Sequence, residues 1–197
     1  MLDLDSGAVH LSVEAGVGGT SLCLSLAAAV LEANSRVVWL GRKAPDPVRT
    51  RQILANLNEQ QLERLFIIEF GEDLLTRAKA VGPLISRLNE SDIVIIDDWC
   101  PSSGRAPASD LKAARSIISA ATNTRLVLTS KAYESPSGTG EPWRSRGEQL
   151  DGVRQTWLFR IDGIRNRRKL VDGEQYNELE LKTSGFFPAY SFFRFDA

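Results

Sequence analysis

Residues 13–21 read Val-Glu-Ala-Gly-Val-Gly-Gly-Thr-Ser, between an alternating apolar segment at residues 9–13 and a leucine- and alanine-rich segment at residues 22–31. Strand, glycine loop and helix, in that order, build a phosphate cradle. The glycines let backbone N–H groups converge on phosphate oxygens, and the head of the helix adds positive potential. Against the pattern GxxxxGK followed by Ser or Thr, Val13 stands at the first glycine, Gly18 at the second, Gly19 at the lysine and Thr20 at the magnesium-side hydroxyl. The loop keeps its backbone donors and loses its cation. On this reading Gly16, Gly18, Gly19, Thr20 and Ser21 form a residual cradle, weak or empty toward ATP and Mg2+. Glu14 adds repulsion if it faces the phosphates, and Lys43, just past the second strand, is a candidate to lend the absent charge.

Working outward, segments rich in β-branched and aromatic residues at 36–40, 65–70, 92–98 and 125–129 predict further strands. Between them, helical spacing predicts helices at 48–57, 73–88 and 111–121. Strands alternating with helices imply right-handed crossovers and a mostly parallel central sheet with helices on both faces. The run Asp-Ile-Val-Ile-Ile-Asp-Asp at 92–98 ends in carboxylates where doubly wound sheets place ligand-facing groups, and Asp97 is the candidate metal-side residue beside Thr20. Residues 131–150 are rich in Ser, Gly, Pro and charge and read as a long flexible loop. Strand-like segments at 155–162, 176–183 and 190–195 suggest an antiparallel extension at one sheet edge. The expected organisation is a single domain over 1–197, with a parallel α/β core at 1–130, a loop at 131–150 and a C-terminal β extension at 151–197.

Composition narrows the function classes. The chain has 197 residues, 43% of them apolar and 25% charged, with a net charge of −1, so no global basic field points to nucleic acid. Uninterrupted apolar runs fall short of the ~18 residues a membrane span needs. An acidic N-terminus unlike a signal peptide fits a cytoplasmic protein with reduced cysteines, Cys23 and Cys100. Basic residues gather after residue 140, among them Arg144, Arg146, Arg154, Arg160, Arg165, Arg167, Arg168 and Lys169; they form either a solvated surface or a phosphate-binding patch. His10 is the sole histidine, and a packed residue is expected rather than a catalytic base. Ser21, Ser102 and Ser130 have no histidine partner at a recognisable spacing, so a serine-hydrolase triad has no support.

The order of parts resembles the ATPase core of the RecA/RadA recombinase superfamily, and within it the short archaeal RadB-like recombinase paralogues. Gly16-Val17-Gly18-Gly19-Thr20-Ser21 looks like that family's phosphate loop, and Val94-Ile95-Ile96-Asp97 like its magnesium strand. The resemblance implies a RecA-like P-loop NTPase fold, with ATP and Mg2+ as the family's cofactors. It also implies a glutamate after the second strand that activates water, where this chain has Gly41-Arg42-Lys43-Ala44. In that family two loops bind single-stranded DNA. Their counterparts are residues 101–108, with Arg105, and 131–150, with Trp143, Arg144 and Arg146, an aromatic beside arginines as stacking on bases requires. With both catalytic features altered, the resemblance implies a non-catalytic or weakly catalytic paralogue that assists homologous recombination and DNA repair, binding DNA, a recombinase subunit or both. Two alternatives stay open: an assembly module that forms homo- or hetero-oligomers without DNA or hydrolysis, and a DNA-dependent ATPase with an atypical loop. The aromatic finish at 186–193 is either core or a subunit contact.

Overall fold

The computed structural model describes residues 2–5, 7–135 and 143–189. β1 (Val9–Val13) is the hub. It pairs in parallel with β5 (Arg125–Glu134) on one side and with β7 (Arg154–Ile161) on the other. Beyond β5 lie β4 (Ile93–Asp97), β2 (Val37–Gly41) and β3 (Leu65–Glu69), all parallel. Beyond β7, β8 (Ile164–Asp172), β9 (Gln175–Lys182) and β10 (Gly185–Pro188) continue as an antiparallel meander. The order across the sheet is β10-β9-β8-β7-β1-β5-β4-β2-β3, and a short β6 (Trp143–Ser145) pairs with the end of β5.

Burial explains the pattern. β1, β2 and β4 are buried along their whole length, as strands covered on both faces must be. One core packs α1 (Gly19–Glu32) against Leu11, Trp39, Ile95, Val127, Leu158, Leu170, Leu179 and Phe186. The second sets α4 (Leu74–Ile85) and α5 (Ala108–Ala120) on Leu40, Ile96 and Leu128 of the opposite face. Among the described residues no helix is long and apolar enough to cross a membrane.

Four sequence expectations are corrected. The helix expected at 48–57 is shorter: α2 (Pro47–Ile53) stops before Leu54, and beyond the expected span a separate α3 (Glu59–Leu62) starts on a capping box in which Asn58 and Gln61 exchange hydrogen bonds. Residues 131–150 are not one flexible loop, because β5 runs on to Glu134 and β6 returns along it; residues 136–142 lie outside the description. The expected antiparallel extension is present in β8, β9 and β10, but its first strand, β7, runs parallel to β1. The basic run at 165–169 lies within a strand, β8, hidden from sequence reading by its charges. The segment expected as a strand at 190–195 lies outside the described residues.

Candidate functional site

The loop between β1 and α1 turns on Gly16 (φ 75) and Gly18 (φ 97), left-handed conformations that a side chain would strain. Gly18 caps α1, and its open face is backed by the Phe186 ring, 3.4 Å from where a Cβ would stand. At Gly19 the lost lysine has a structural counterpart. A Cβ there would lie 2.8 Å from Cγ2 of Val13, so the valine at the first glycine position fills the room that a side chain at 19 needs. The two departures from the phosphate-loop pattern are one packing solution.

The C-terminal arginines brace this loop. Arg168, buried on β8, donates from Nε to the Val17 carbonyl (2.8 Å). Its burial lowers the guanidinium's pKa. Arg160 donates its backbone N–H and its Nε to the Glu14 carboxylate (2.8 and 3.2 Å) and reaches the Ala15 carbonyl (3.2 Å). Glu14 is therefore drawn into an ion pair with Arg160. Arg49 of α2 ties Ser21 (3.0 Å) to the Lys182 carbonyl (2.8 Å), joining the helix head to the β9–β10 turn.

Below the loop, Thr20 and Asp97 meet: the threonine hydroxyl donates to Oδ2 at 2.9 Å, and Thr129 of β5 donates to Oδ1 at 2.7 Å. Asp97 is buried, and desolvation raises its pKa despite the two hydroxyls. Asp98 is held in a left-handed conformation (φ 53), its N–H donating to Thr129 Oγ1 (2.8 Å) and its carboxylate paired with Lys131 Nζ (3.1 Å). Lys131 is the cation that sequence reading missed; its only signal is a polar Thr-Ser-Lys ending an apolar strand at 129–131. It lines both the small cavity of about 170 Å³ inside the loop and the adjoining one of about 480 Å³, whose walls include Thr20, Ser21, Lys43, Arg49, Asp97 and Asp98. Lys43 is exposed at that cavity's rim. Arg42 is spent on structure, paired with Glu72 (2.8 Å) and Asp110 (3.1 Å). The Thr20 hydroxyl and Asp97 carboxylate are hard oxygen donors of the kind magnesium takes, so the donor set fits Mg2+ beside a phosphate, whereas the position of the missing lysine is closed.

The DNA candidates fall on a neighbouring surface. Arg146 donates to the Gly104 carbonyl (3.4 Å) and lies 4.0 Å over the Tyr133 ring, which brings the loop carrying exposed Arg105 beside β6. Arg144 is exposed. Trp143 packs on Phe159 of β7, ring centres 4.9 Å apart. Buried between this surface and the phosphate loop is a polar seam. Gln155 donates to Ser12 Oγ (2.9 Å), Ser12 to Ser145 Oγ (2.6 Å), and Ser145 to the Arg146 carbonyl (3.0 Å). Next to it, His10 Nε2 accepts from the Trp99 indole N–H (3.1 Å) and lies 2.8 Å from Ser130 Oγ. Since the indole N–H can only donate, the neutral ring carries its proton on Nδ1, which is buried without a partner among the described residues. Burial pushes the His10 pKa down to about 4. Among the described residues no cluster of three or more His, Cys, Asp or Glu is arranged to hold a metal.

The glycine loop at the head of α1, with the Thr20 hydroxyl of α1 and the Asp97 carboxylate at the C-terminal end of β4 beneath it, sits on a RecA-like α/β fold. The solved structure of the RadB recombinase is similar to it, with a TM-score of 0.67 at 13% identity over 94% of this chain and 91% of that one. A DnaB-like replicative helicase, solved to show its interactions with primase, is similar at TM-score 0.65 and 10% identity, over 94% of this chain and 58% of that one. No protein-family model and no curated protein sequence matches the chain.

Proposed function

We propose that this chain is a RecA/RadA-type recombinase paralogue of the RadB-like kind, which assists homologous recombination or repair by binding DNA or a recombinase subunit and turns over little or no ATP. The observation that carries the reading is the Val13 side chain, which fills the space that a side chain at position 19 would need, where phosphoryl transfer needs its lysine. Nucleotide phosphates, if held, would meet the loop N–H groups of residues 16–20, with Thr20 and Asp97 on the metal side and Lys131 as a cation lining the same cavity. Lys43 stands farther out and would reach only the outermost charge. When bound, Mg2+ would supply charge neutralisation. Gly19 offers no cation to a developing negative charge, and Lys131 is already shared with Asp98.

The DNA side of the reading is supported by Arg105, Arg144, Arg146 and Trp143 lying on neighbouring elements. The test is two titrations, with labelled single-stranded DNA and with ATP plus Mg2+, and a turnover assay. Salt-sensitive DNA binding with turnover at background is the expected result. Magnesium-dependent hydrolysis that disappears in Asp97→Asn would establish the ATPase alternative instead.

One observation favours the assembly reading. β3 is an edge strand whose Phe66 and Ile67 are 40% and 41% exposed, and an open apolar edge accepts a strand from another chain. Sedimentation with and without a recombinase partner, in wild type and Ile67→Glu, tests it. Loss of the oligomer in the variant is expected, and an unchanged oligomer removes β3 from the interface.

A further inference from the structure

One face of the sheet changes character from strand to strand. Under α4 and α5 it is aliphatic, with Ile96 of β4 and Leu128 of β5. On β1 the same face is polar, with His10 and Ser12, and on β7 it becomes Gln155, Trp157 and Phe159, by the register His10↔Gln155 and Ser12↔Trp157. The opposite face of β7 carries the core residue Leu158, so the aromatics are not needed to bury that side. A strand face left without a helix is ordinarily polar. Here it carries two large rings, half-buried and nearly parallel: Trp157 and Phe159 differ by 11° with centres 5.9 Å apart.

We infer that this face of β7, completed by Trp143, is a shelf on which unpaired nucleobases of a single strand stack. The inference rests on the DNA-binding reading above and places the contact on the sheet itself, beyond the loops. Trp143 extends the row over Phe159, and the Gln155–Ser12–Ser145 hydrogen-bond chain fixes β6 to the sheet. The rings are thus ordered before a ligand arrives, which lowers the entropy cost of binding. They open on a cavity of about 710 Å³ rimmed by Arg144, Gln149 and Gln155. Across β7, Lys169 stands opposite Phe159 and lies 4.4 Å over the Tyr176 ring, which is 57% exposed.

Charge decides the occupant. Glu178 and Glu180, on the same face of β9, are held by Arg167 (3.0 Å) and Lys182 (3.2 Å). Arg144 and Lys169 have no ion pair among the described residues. Parallel rings with Arg144 at the rim and Lys169 on the neighbouring strand, neither ion-paired among the described residues, fit bases joined by phosphates. A purely apolar peptide would leave those cations unused.

The tryptophans report on the shelf directly. Trp39 and Trp99 are fully buried, whereas Trp143 and Trp157 line the cavity. Titrating wild type with a labelled oligothymidylate should quench tryptophan emission in step with the rise in anisotropy. Tripolyphosphate, which offers charge without bases, should not quench. Trp157→Leu should weaken binding tenfold or more, and Trp157→Phe, which keeps a ring, should retain most of it. Binding without quenching, or unchanged affinity in a folded Trp157→Leu, overturns the shelf and leaves DNA binding to the loops. No binding of oligothymidylate at low salt overturns both.

Discussion

β4 and β7 belong to one sheet and are both hydrogen-bonded in parallel to a neighbour, yet they are written differently. β4, Ile-Val-Ile-Ile-Asp, is buried at every residue between α1 and the pair α4 and α5. β7, Arg-Gln-Thr-Trp-Leu-Phe-Arg-Ile, alternates, with Thr156 and Leu158 buried and Trp157 and Phe159 half-buried on the other side. A strand covered on both faces has only packing to satisfy. A strand covered on one face keeps the other for a different purpose, and there the residue choices carry functional information.

The His10 seam joins the two regions and gives the largest expected effect. The unfolded chain takes up a proton at this side chain near pH 6.5, whereas the folded chain does so only near 4, so stability present above 6.5 is lost as pH falls toward 4. The loss amounts to roughly 3 kcal/mol. Asp97, whose pKa is raised, works in the opposite sense, because its protonation favours the folded chain at low pH. Denaturant midpoints measured from pH 7 to 4 should fall steeply in wild type and much less in His10→Gln. Equal slopes would mean that the seam is not what acid disrupts.

At the phosphate loop, Gly19→Lys alone should destabilise by about 1–3 kcal/mol, because its Cβ meets Val13. Pairing it with Val13→Gly should recover part of that loss and raise nucleotide affinity at least tenfold. Thermal melts and an ATP titration of both variants would sharpen the contrast, and no gain in affinity in the double variant would show that the cation is not what the loop lacks.

Arg168→Ala removes the donor to the Val17 carbonyl and should cost about 1–3 kcal/mol, read in a urea melt. Ser145→Ala should cost about 1 kcal/mol and speed amide exchange in β6 and β7, since it breaks the chain through Ser12. The smallest stability effect belongs to Arg144→Ala, expected within about 0.5 kcal/mol. Its DNA affinity should nevertheless drop, with a shallower salt dependence.

Legibility in the sequence follows the same division. The parallel half was readable because strands buried on both faces leave continuous apolar runs, and because Asn34–Ser35 and Pro45–Pro47 punctuate them. Thr20, at the head of α1, and Asp97, at the end of β4, are far apart in sequence, and the structure puts them 2.9 Å apart. The meander was not readable in the same way. β8 hides under arginines because Arg168 points inward to a carbonyl, an arrangement no hydropathy pattern records. Lys131 was missed because β5 was taken to end at Thr129, although it runs on to Glu134. Trp157 and Phe159 look like ordinary alternating strand residues until it is seen that, among the described residues, their face has no covering helix.

Phe186, on the last described strand, lies against Gly18 at the opposite end of the chain, and the Phe186 N–H donates to Ser25 Oγ of α1 (2.9 Å). During synthesis the glycine turn therefore waits, without its backing, until residue 186 has left the ribosome. A nascent chain halted near residue 150 would carry β1 to β6 but lack the parallel strand β7 and, with it, Arg160, Arg168 and Phe186. Its glycine turn would be braced last although it is encoded early.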